Sequence, residues 1–265
     1  MGAWDNYEKR IDVRGSTSRE RTKRLADWHI GNKMPASLSY FKANIDGRMQ
    51  EVAVINSDNL NEKYMLSMPG EDILLGGIVT WSGAKWMVTE KDFNNELYTK
   101  AKLLQCNYLL KWVDEYDVIH QQWCAIEDGT KYLTGDYEDR DFVITRGDSR
   151  IAMTISRNND TAKFGRKCRF IIDDTGSSEP LAYVLTKPLK VGQTYLVDGV
   201  WRGVYKFVLS ECNTEDDDNL DFGIADYYSH FDREPTDPLP VPENIYSSGA
   251  NAKISTDSNG RRIWI

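Results

Sequence analysis

The sequence is poor in the residues that most often build reactive centres. Its three histidines, His29, His120 and His230, lie in separate segments and show neither an HExxH motif nor an i, i+4 pairing. A shared histidine site is therefore not expected. The four cysteines, Cys106, Cys124, Cys168 and Cys212, are nowhere spaced as CxxC, which excludes a local zinc or redox motif and leaves free thiols as the expectation. No GxSxG, P-loop or GxGxxG sequence occurs. No apolar run approaches the roughly 20 residues that span a bilayer, and the first ten residues lack the apolar core of a signal peptide. Gly2 stands where N-myristoylation would use it, but position six is Asn6 rather than Ser or Thr, so no lipid anchor is expected.

Positive charge is also short. Lys and Arg number 33 against 41 Asp and Glu, for a net charge of -8 and an isoelectric point near 5.1. That argues against general nucleic-acid binding through phosphate neutralisation. It is compatible with a surface that DNA passes without sticking, because acidic walls repel the backbone. The acids themselves show no catalytic pattern. Asp173 and Asp174 are neighbours at a strand end, where adjacent side chains point to opposite faces. Glu215-Asp216-Asp217-Asp218 reads as a solvated acidic loop. Gly147-Asp148-Ser149-Arg150 reads as a turn with Asp148 as its cap, and no base can be named for Ser149. The expectation is a protein with no catalytic residues, no metal and no cofactor, and not an enzyme.

What is present is aromatic and strand-like. The 265 residues are 40% hydrophobic, with eight Trp and fourteen Tyr, and the mean hydropathy is -0.56, as in a soluble globular chain long enough for one large or two small cores. Residues 1–36 form an entry arm. Thr17 and Glu20 have the spacing of a capping box, predicting a helix from Ser18 to about Ile30, with Gly31 as its stop. Arg14, Arg19, Arg21, Lys23 and Arg24 make this arm the one basic cluster of an acidic chain, and Leu25 and Trp28 share a helical face. The functional reading of Arg19, Arg21, Lys23, Arg24, Leu25 and Trp28 is a docking arm for an acidic neighbour or for DNA phosphate; the alternative is a solvated helix face.

Residues 37–127 read as a barrel. Met49–Ile55 follows a turn at Asp46-Gly47, Tyr64–Met68 ends at Pro69-Gly70, and Ile78–Trp81 faces Lys85–Thr89 across Ser82-Gly83-Ala84. A long alternating strand then runs to Trp112, with Val118–Ile126 as its partner across Asp114–Asp117. Residues 128–228 carry a second series: Ile151–Ser156, Arg169–Ile172, Leu181–Leu185, Thr194–Val197, a turn at Asp198-Gly199, Val204–Leu209 and Ile224–Tyr228. The fold class expected is mainly β: a small antiparallel β-barrel plus a second β-sandwich or barrel, with a short N-terminal helix and an extended C-terminal tail. Residues 229–265 contain Pro235, Pro238, Pro240 and Pro242 and then Ser, Gly and Asn, as a linker and tail do. The tail ends in Ile263, Trp264 and Ile265, an apolar plug suited to pairing with a neighbouring subunit or to folding back on its own domain. Trp81, Trp86, Trp112, Trp123 and Trp201 could stack on sugars, but strands that also carry Ile78, Val79 and Val88 point to barrel core for most of them.

Gly76-Gly77-Ile78-Val79-Thr80-Trp81-Ser82-Gly83-Ala84-Lys85-Trp86-Met87-Val88 resembles the strand, W-x-G-x-x-W, strand core of tailed-bacteriophage head–tail connectors, the head-closure or stopper proteins. That family often opens the motif with Gly-Asp, where this chain has Gly76-Gly77. Leu103–Trp112, Trp123–Asp128, Arg169–Asp174 and Ile224–Tyr228 also look like segments of phage structural proteins. The resemblance covers about residues 40–228. It implies a ring of copies in the virion neck, assembled in the host bacterial cytoplasm, with portal and adaptor proteins on one side, tail proteins on the other and packaged double-stranded DNA passing non-specifically through the channel; no membrane is involved. Leu60–Asp72, with Asn61, Glu62, Lys63, Pro69 and Gly70, is the first candidate channel or partner loop, and Asp92–Glu96, with Asp92, Asn94 and Asn95, is the second. The alternative is a tail or baseplate component with a carbohydrate-binding β domain.

Overall fold

The computed structural model describes residues 17–93, 96–128, 150–173 and 180–231, together with Trp4, Tyr7 and the backbone of 254–256 and 262–264. Its hairpins start from local turn chemistry. Asp46-Gly47, Ser82-Gly83 and Asp198-Gly199 each place both central residues at positive φ, the I′ geometry that matches strand twist. They join β1 (Tyr40–Ile45) to β2 (Arg48–Asn56), β4 (Ile78–Trp81) to β5 (Ala84–Lys91), and β12 (Thr194–Val197) to β13 (Val200–Cys212).

With β3 (Glu62–Ser67) and β6 (Lys100–Gln105), the first set closes into a barrel in the order β1-β2-β3-β6-β5-β4, β4 returning to β1 through Asn44↔Thr80 and Ile45↔Val79. Asp46 fastens that closure: its Oδ1 accepts the Ile78 N–H at 2.8 Å. Inward positions of every strand fill the interior with Ala43, Ile45, Val52, Val54, Met65, Val79, Trp86, Val88, Ala101 and Leu103, and the segment after β3 adds Ile73 and Leu75. Each fully buried aliphatic side chain of this kind contributes roughly 1.5–3 kcal/mol.

The second sheet runs β10 (Arg169–Ile171), β11 (Ala182–Leu189), β13, β9 (Arg150–Ser156), β8 (Ile119–Asp128), β7 (Tyr108–Val113), with β12 folded off β13. Its two outer strands curl toward each other. The Tyr108 hydroxyl donates to Ile171 O at 3.1 Å and accepts from Asp173 N at 3.3 Å, so the sheet is barrel-like. Its core is strongly aromatic: Trp112, Phe164, Phe170, Tyr183, Tyr205 and Phe207.

Three boundaries differ from the sequence reading. The long strand ending at Trp112 is two strands, β6 and β7, in different barrels, so the first barrel ends near Gln105 and residues 108–127 belong to the second. The Ile224–Tyr228 strand is instead a single bridge, Asn219↔Ile224, followed by the short helix α2 (Tyr227–His230), because Asp226 turns the chain with φ +56. The N-terminal helix α1 (Ser18–Lys33) has the expected capping box at Thr17 and Glu20 but passes through Gly31 to Lys33. In the tail, β15 (Arg262–Trp264) pairs with β14 (Ile254–Thr256) as a local hairpin. The turn expected at Gly147–Arg150 lies, apart from Arg150, outside the described residues.

Candidate assembly surfaces and the junction between the barrels

Two residues link the barrels, and each is fastened to one of them. The Cys106 N–H donates to Lys85 O in the first barrel at 2.8 Å, and the Asn107 N–H donates to Cys124 O in the second at 3.1 Å. The Asn107 side chain then pairs with Ile126 as a strand would, accepting its N–H and donating to its carbonyl, both at 2.8 Å. Around this link Met87, Cys106 and Val204 form a shared apolar cluster, with Ile78 and Trp123 against it. Burial pushes the Cys106 thiol up to about 12, with Lys85 opposing in part, so it stays a protonated, inert core group. Cys124 is raised still further, again chiefly by burial. A second tie is made where Gly76 meets Gly203: the Ser156 hydroxyl of the second barrel donates to Gly76 O of the first at 2.5 Å. Phe93 and Tyr195 add an aromatic contact across the same seam at 5.6 Å.

Beside the seam lies an open groove of about 900 Å³, lined in part by Asp46, Lys85, Gln121, Trp123, Arg157 and Trp201. Trp201 is 49% exposed, with Arg157 over its ring at 5.6 Å and bonded to its carbonyl at 2.8 Å. Trp86 and Trp112 are core, as expected, and Trp81 packs on the first core from its edge.

The polar clusters of the second barrel are knit by hydrogen bonds and ion pairs. The β7–β8 loop is held residue by residue: Asp114 to His120 at 2.9 Å, Glu115 to Lys163 at 3.0 Å, Tyr116 under Lys163 at 4.8 Å, and Asp117 to His230 at 2.9 Å. Among the described residues, Asp114, His120 and Asp160 place ligand atoms within 4.8 Å of one another and could converge on a cation. Their geometry is that of ion pairing. The two imidazole nitrogens of His120 face different carboxylates, at 2.9 and 3.6 Å, and its ring stacks on Trp112 at 5.5 Å. Burial alone would raise the Asp114 carboxyl, but the bond to His120 and the N–H groups of Val118 and Tyr116 outweigh it and hold it below the usual range. A depressed carboxylate contributes stability above its unfolded pKa and loses it as pH falls through the folded one. Asp114→Ala should therefore cost about 2 kcal/mol at neutral pH, and the gap from the parent chain should close as denaturant melts are moved to about pH 3 and below. A gap that persists undiminished below about pH 3 contradicts this reading.

Arg169 anchors the other cluster. It grips Asp218 with two bonds, at 2.9 and 2.8 Å, and also reaches Asp226 at 2.7 Å and Asn213 O at 2.9 Å. The Asp218 side chain is fully buried, which corrects the solvated-loop reading of Glu215–Asp218 at its last residue. Burial opposes the guanidinium charge, but Asp218 and Asp226 hold it protonated more firmly than usual.

The outward-facing features lie elsewhere. Helix α1 buries no residue; Leu25 is 57% and Trp28 62% exposed. Ion pairs of Arg19 with Glu96, and of Lys23 with Glu96 at 3.9 Å, hold the helix to the β5–β6 connection. This brings two sequence candidates, the basic arm and the segment 92–96, to one place; Asn94 and Asn95 lie outside the described residues. Arg21 and Arg24 are exposed on the same helix. The segment Leu60–Asp72 is not one loop. Glu62 and Lys63 begin β3, where Glu62 pairs with Lys102 at 2.8 Å and Lys63 donates to Asn56 at 3.1 Å. Asn61 lies in the β2–β3 turn, its carbonyl taking the Gln105 N–H at 2.9 Å, and Pro69 and Gly70 sit in the turn after β3. Ile263 and Trp264 are in β15, and Ile265 lies outside the described residues.

No protein-family model matches the chain, and no curated protein does. Among solved structures the chain is similar to MrkH, described as a novel c-di-GMP dependence transcription regulatory factor, at 8% identity and a TM-score of 0.23 over 72% of this chain and 85% of that one. A superposition that poor carries no argument about fold or function.

Proposed function

We propose that the chain is a structural protein of a tailed-phage virion, a head–tail connector that forms a ring in the neck, helps retain packaged double-stranded DNA and docks the tail. The observation that carries this reading is the division of labour in the molecule. The polar clusters described above brace the second barrel, which is fastened to the first, while a capped, basic helix with no buried residue presents Leu25 and Trp28 outward. Bracing of that kind suits a subunit that must hold its shape under load, and an exposed arm carrying cationic and apolar side chains suits contact with a neighbour. The overall acidity, net -8, suits a wall past which DNA slides. The portal and adaptor on one side and the tail on the other are the partners this reading implies, with assembly in the host bacterial cytoplasm.

The test is joining. Purified chain should self-associate and co-sediment with portal–adaptor complexes, and deletion of residues 1–24 should weaken both while leaving the barrels folded. A strictly monomeric chain that also ignores portal–adaptor complexes would sink the proposal. Trp201, exposed on the groove, is the observation that favours the alternative of a tail or baseplate component with a carbohydrate-binding domain. Glycan-array binding abolished by Trp201→Ala would decide for it.

A further inference from the structure

One face of α1 carries Arg21, Arg24, Leu25 and Trp28, spaced three, four and seven residues apart. The helix holds five Lys and Arg against Glu20 and Asp27, in a chain whose net charge is -8. It is a cationic, apolar stripe on an acidic body. Its chemical complement lies on the second barrel. From Phe207 to Asp232 the sequence has eight carboxylates and no Lys or Arg. Among the described residues, Glu215, Asp216 and Asp221 are exposed, and so are Leu220 (43%), Phe222 (39%) and Tyr228.

That acidic surface is built firmly. Asn219 and Ile224 exchange backbone bonds at 2.9 and 3.1 Å, and the Asn219 side chain accepts the Phe222 N–H at 3.1 Å. Lys111 donates to Phe222 O at 3.1 Å, and Phe222 stacks on the buried Tyr227. The buried Arg169–Asp218 pair fixes the base of the same loop. A preorganised acceptor loses little entropy on binding, and arginine suits a surface that mixes carboxylates with aromatic faces.

We infer that the α1 stripe of one copy docks on the Leu220–Phe222 surface of a second copy, first barrel to second barrel. Charge complementarity names the occupant: a cationic apolar helix face meets an anionic apolar loop of the same chain. Because the two surfaces differ, the contact is heterologous and propagates head to tail, closing into a ring if the rotation permits. This rests on the ring reading above and supplies its interface.

The experiment uses two double variants of the full chain, Arg24→Glu with Trp28→Ser, and Leu220→Ser with Asp221→Lys. All four positions are exposed, so melts should stay near the parent value. Sedimentation velocity at low salt should show each variant alone associating at least about tenfold more weakly than the parent. An equimolar mixture should form dimers and nothing larger, since each dimer uses the one intact helix and the one intact loop. Assembly of the parent chain should weaken steeply toward about 1 M salt, where charge interactions reach only about 3 Å. A loop variant that assembles like the parent, a mixture that gives no dimer, or salt-insensitive assembly overturns the pairing and leaves the ring standing. A parent chain that stays monomeric alone and on portal–adaptor complexes overturns both.

Discussion

Gly203→Ala is expected to unfold the second barrel or to cost at least about 3 kcal/mol, a fall of about 10 °C in the melting midpoint. Gly203 sits inside β13 at φ +135, a conformation that L side chains rarely adopt. An added methyl would lie 2.1 Å from Gln193 O and 2.9 Å from Thr194 Cα, both backbone atoms. Neither can swing aside, since Val204 N donates to Gln193 O at 3.0 Å and β12 is paired through Thr194↔Gly203. The carbonyl of the same residue fills the position a methyl at Gly76 would need, 2.4 Å away, and Gly76 itself has φ +81. The two glycines thus allow two backbones to touch at the seam between the barrels. Gly76→Ala should be nearly as harmful and should loosen the seam first. Gly165→Ala, with nothing nearer than 4.0 Å, is the control and should be close to neutral. Thermal and denaturant melts of the three variants give the comparison.

Asp218→Ala is the second large effect, at about 3–5 kcal/mol. The buried carboxylate receives both Arg169 bonds and the N–H groups of Glu215 and Asp226, at 2.8 and 2.9 Å. Its removal orphans those donors and strands a guanidinium whose side chain is 9% exposed. Asp226 and Glu215 are then its remaining carboxylates, and their side chains are 42% and 64% exposed. The Glu215 contact, at 3.5 Å from Nε, is an ion pair too long for a good hydrogen bond. Asp226→Ala should cost much less, about 1 kcal/mol, because its partner keeps the buried Asp218. In a double-mutant cycle, Arg169→Met with Asp218→Leu should recover most of the loss, as replacing both members of a buried pair by apolar groups often does. Strict additivity in that cycle would show that the network is not a unit.

The features legible in the sequence were those fixed over short distances. Asp46-Gly47, Ser82-Gly83 and Asp198-Gly199 announce their turns by composition, and Thr17 with Glu20 announces the start of α1. The tryptophans of Ile78–Val88 read as core because aliphatic residues alternate with them, and Trp86 is core. What escaped was set by tertiary contact. Cys106-Asn107 contains neither Gly nor Pro, so alternation runs on through it. The chain changes barrels there because Asn107 finds Ile126, nineteen positions away. The acids Glu215 to Asp218 look alike in sequence; the buried one is chosen by Arg169, forty-nine positions away. The Ile224–Tyr228 run has a strand's composition, but a left-handed Asp226 breaks it. Gly203, a lone glycine in an otherwise regular strand, was the available signal for a close backbone approach.

The candidate surfaces were legible in a weaker sense. A basic cluster in an acidic chain stands out by composition, and the structure places it on a helix whose Leu25 and Trp28 stay outside. Its tie to Glu96, seventy-seven positions from Arg19, is visible only in three dimensions. With the half-buried Ala26 and Ile30, it ties the helix to the first barrel. The charged arm is therefore presented by the first barrel instead of trailing from it, which is what a docking element requires.

The most direct test of the connector reading is negative-stain electron microscopy of the purified full chain, alone and mixed with a portal–adaptor complex. Closed rings of uniform diameter, seated coaxially on the portal complex, are the expected result. Single two-lobed particles in both samples, with the portal complex bare, would contradict it.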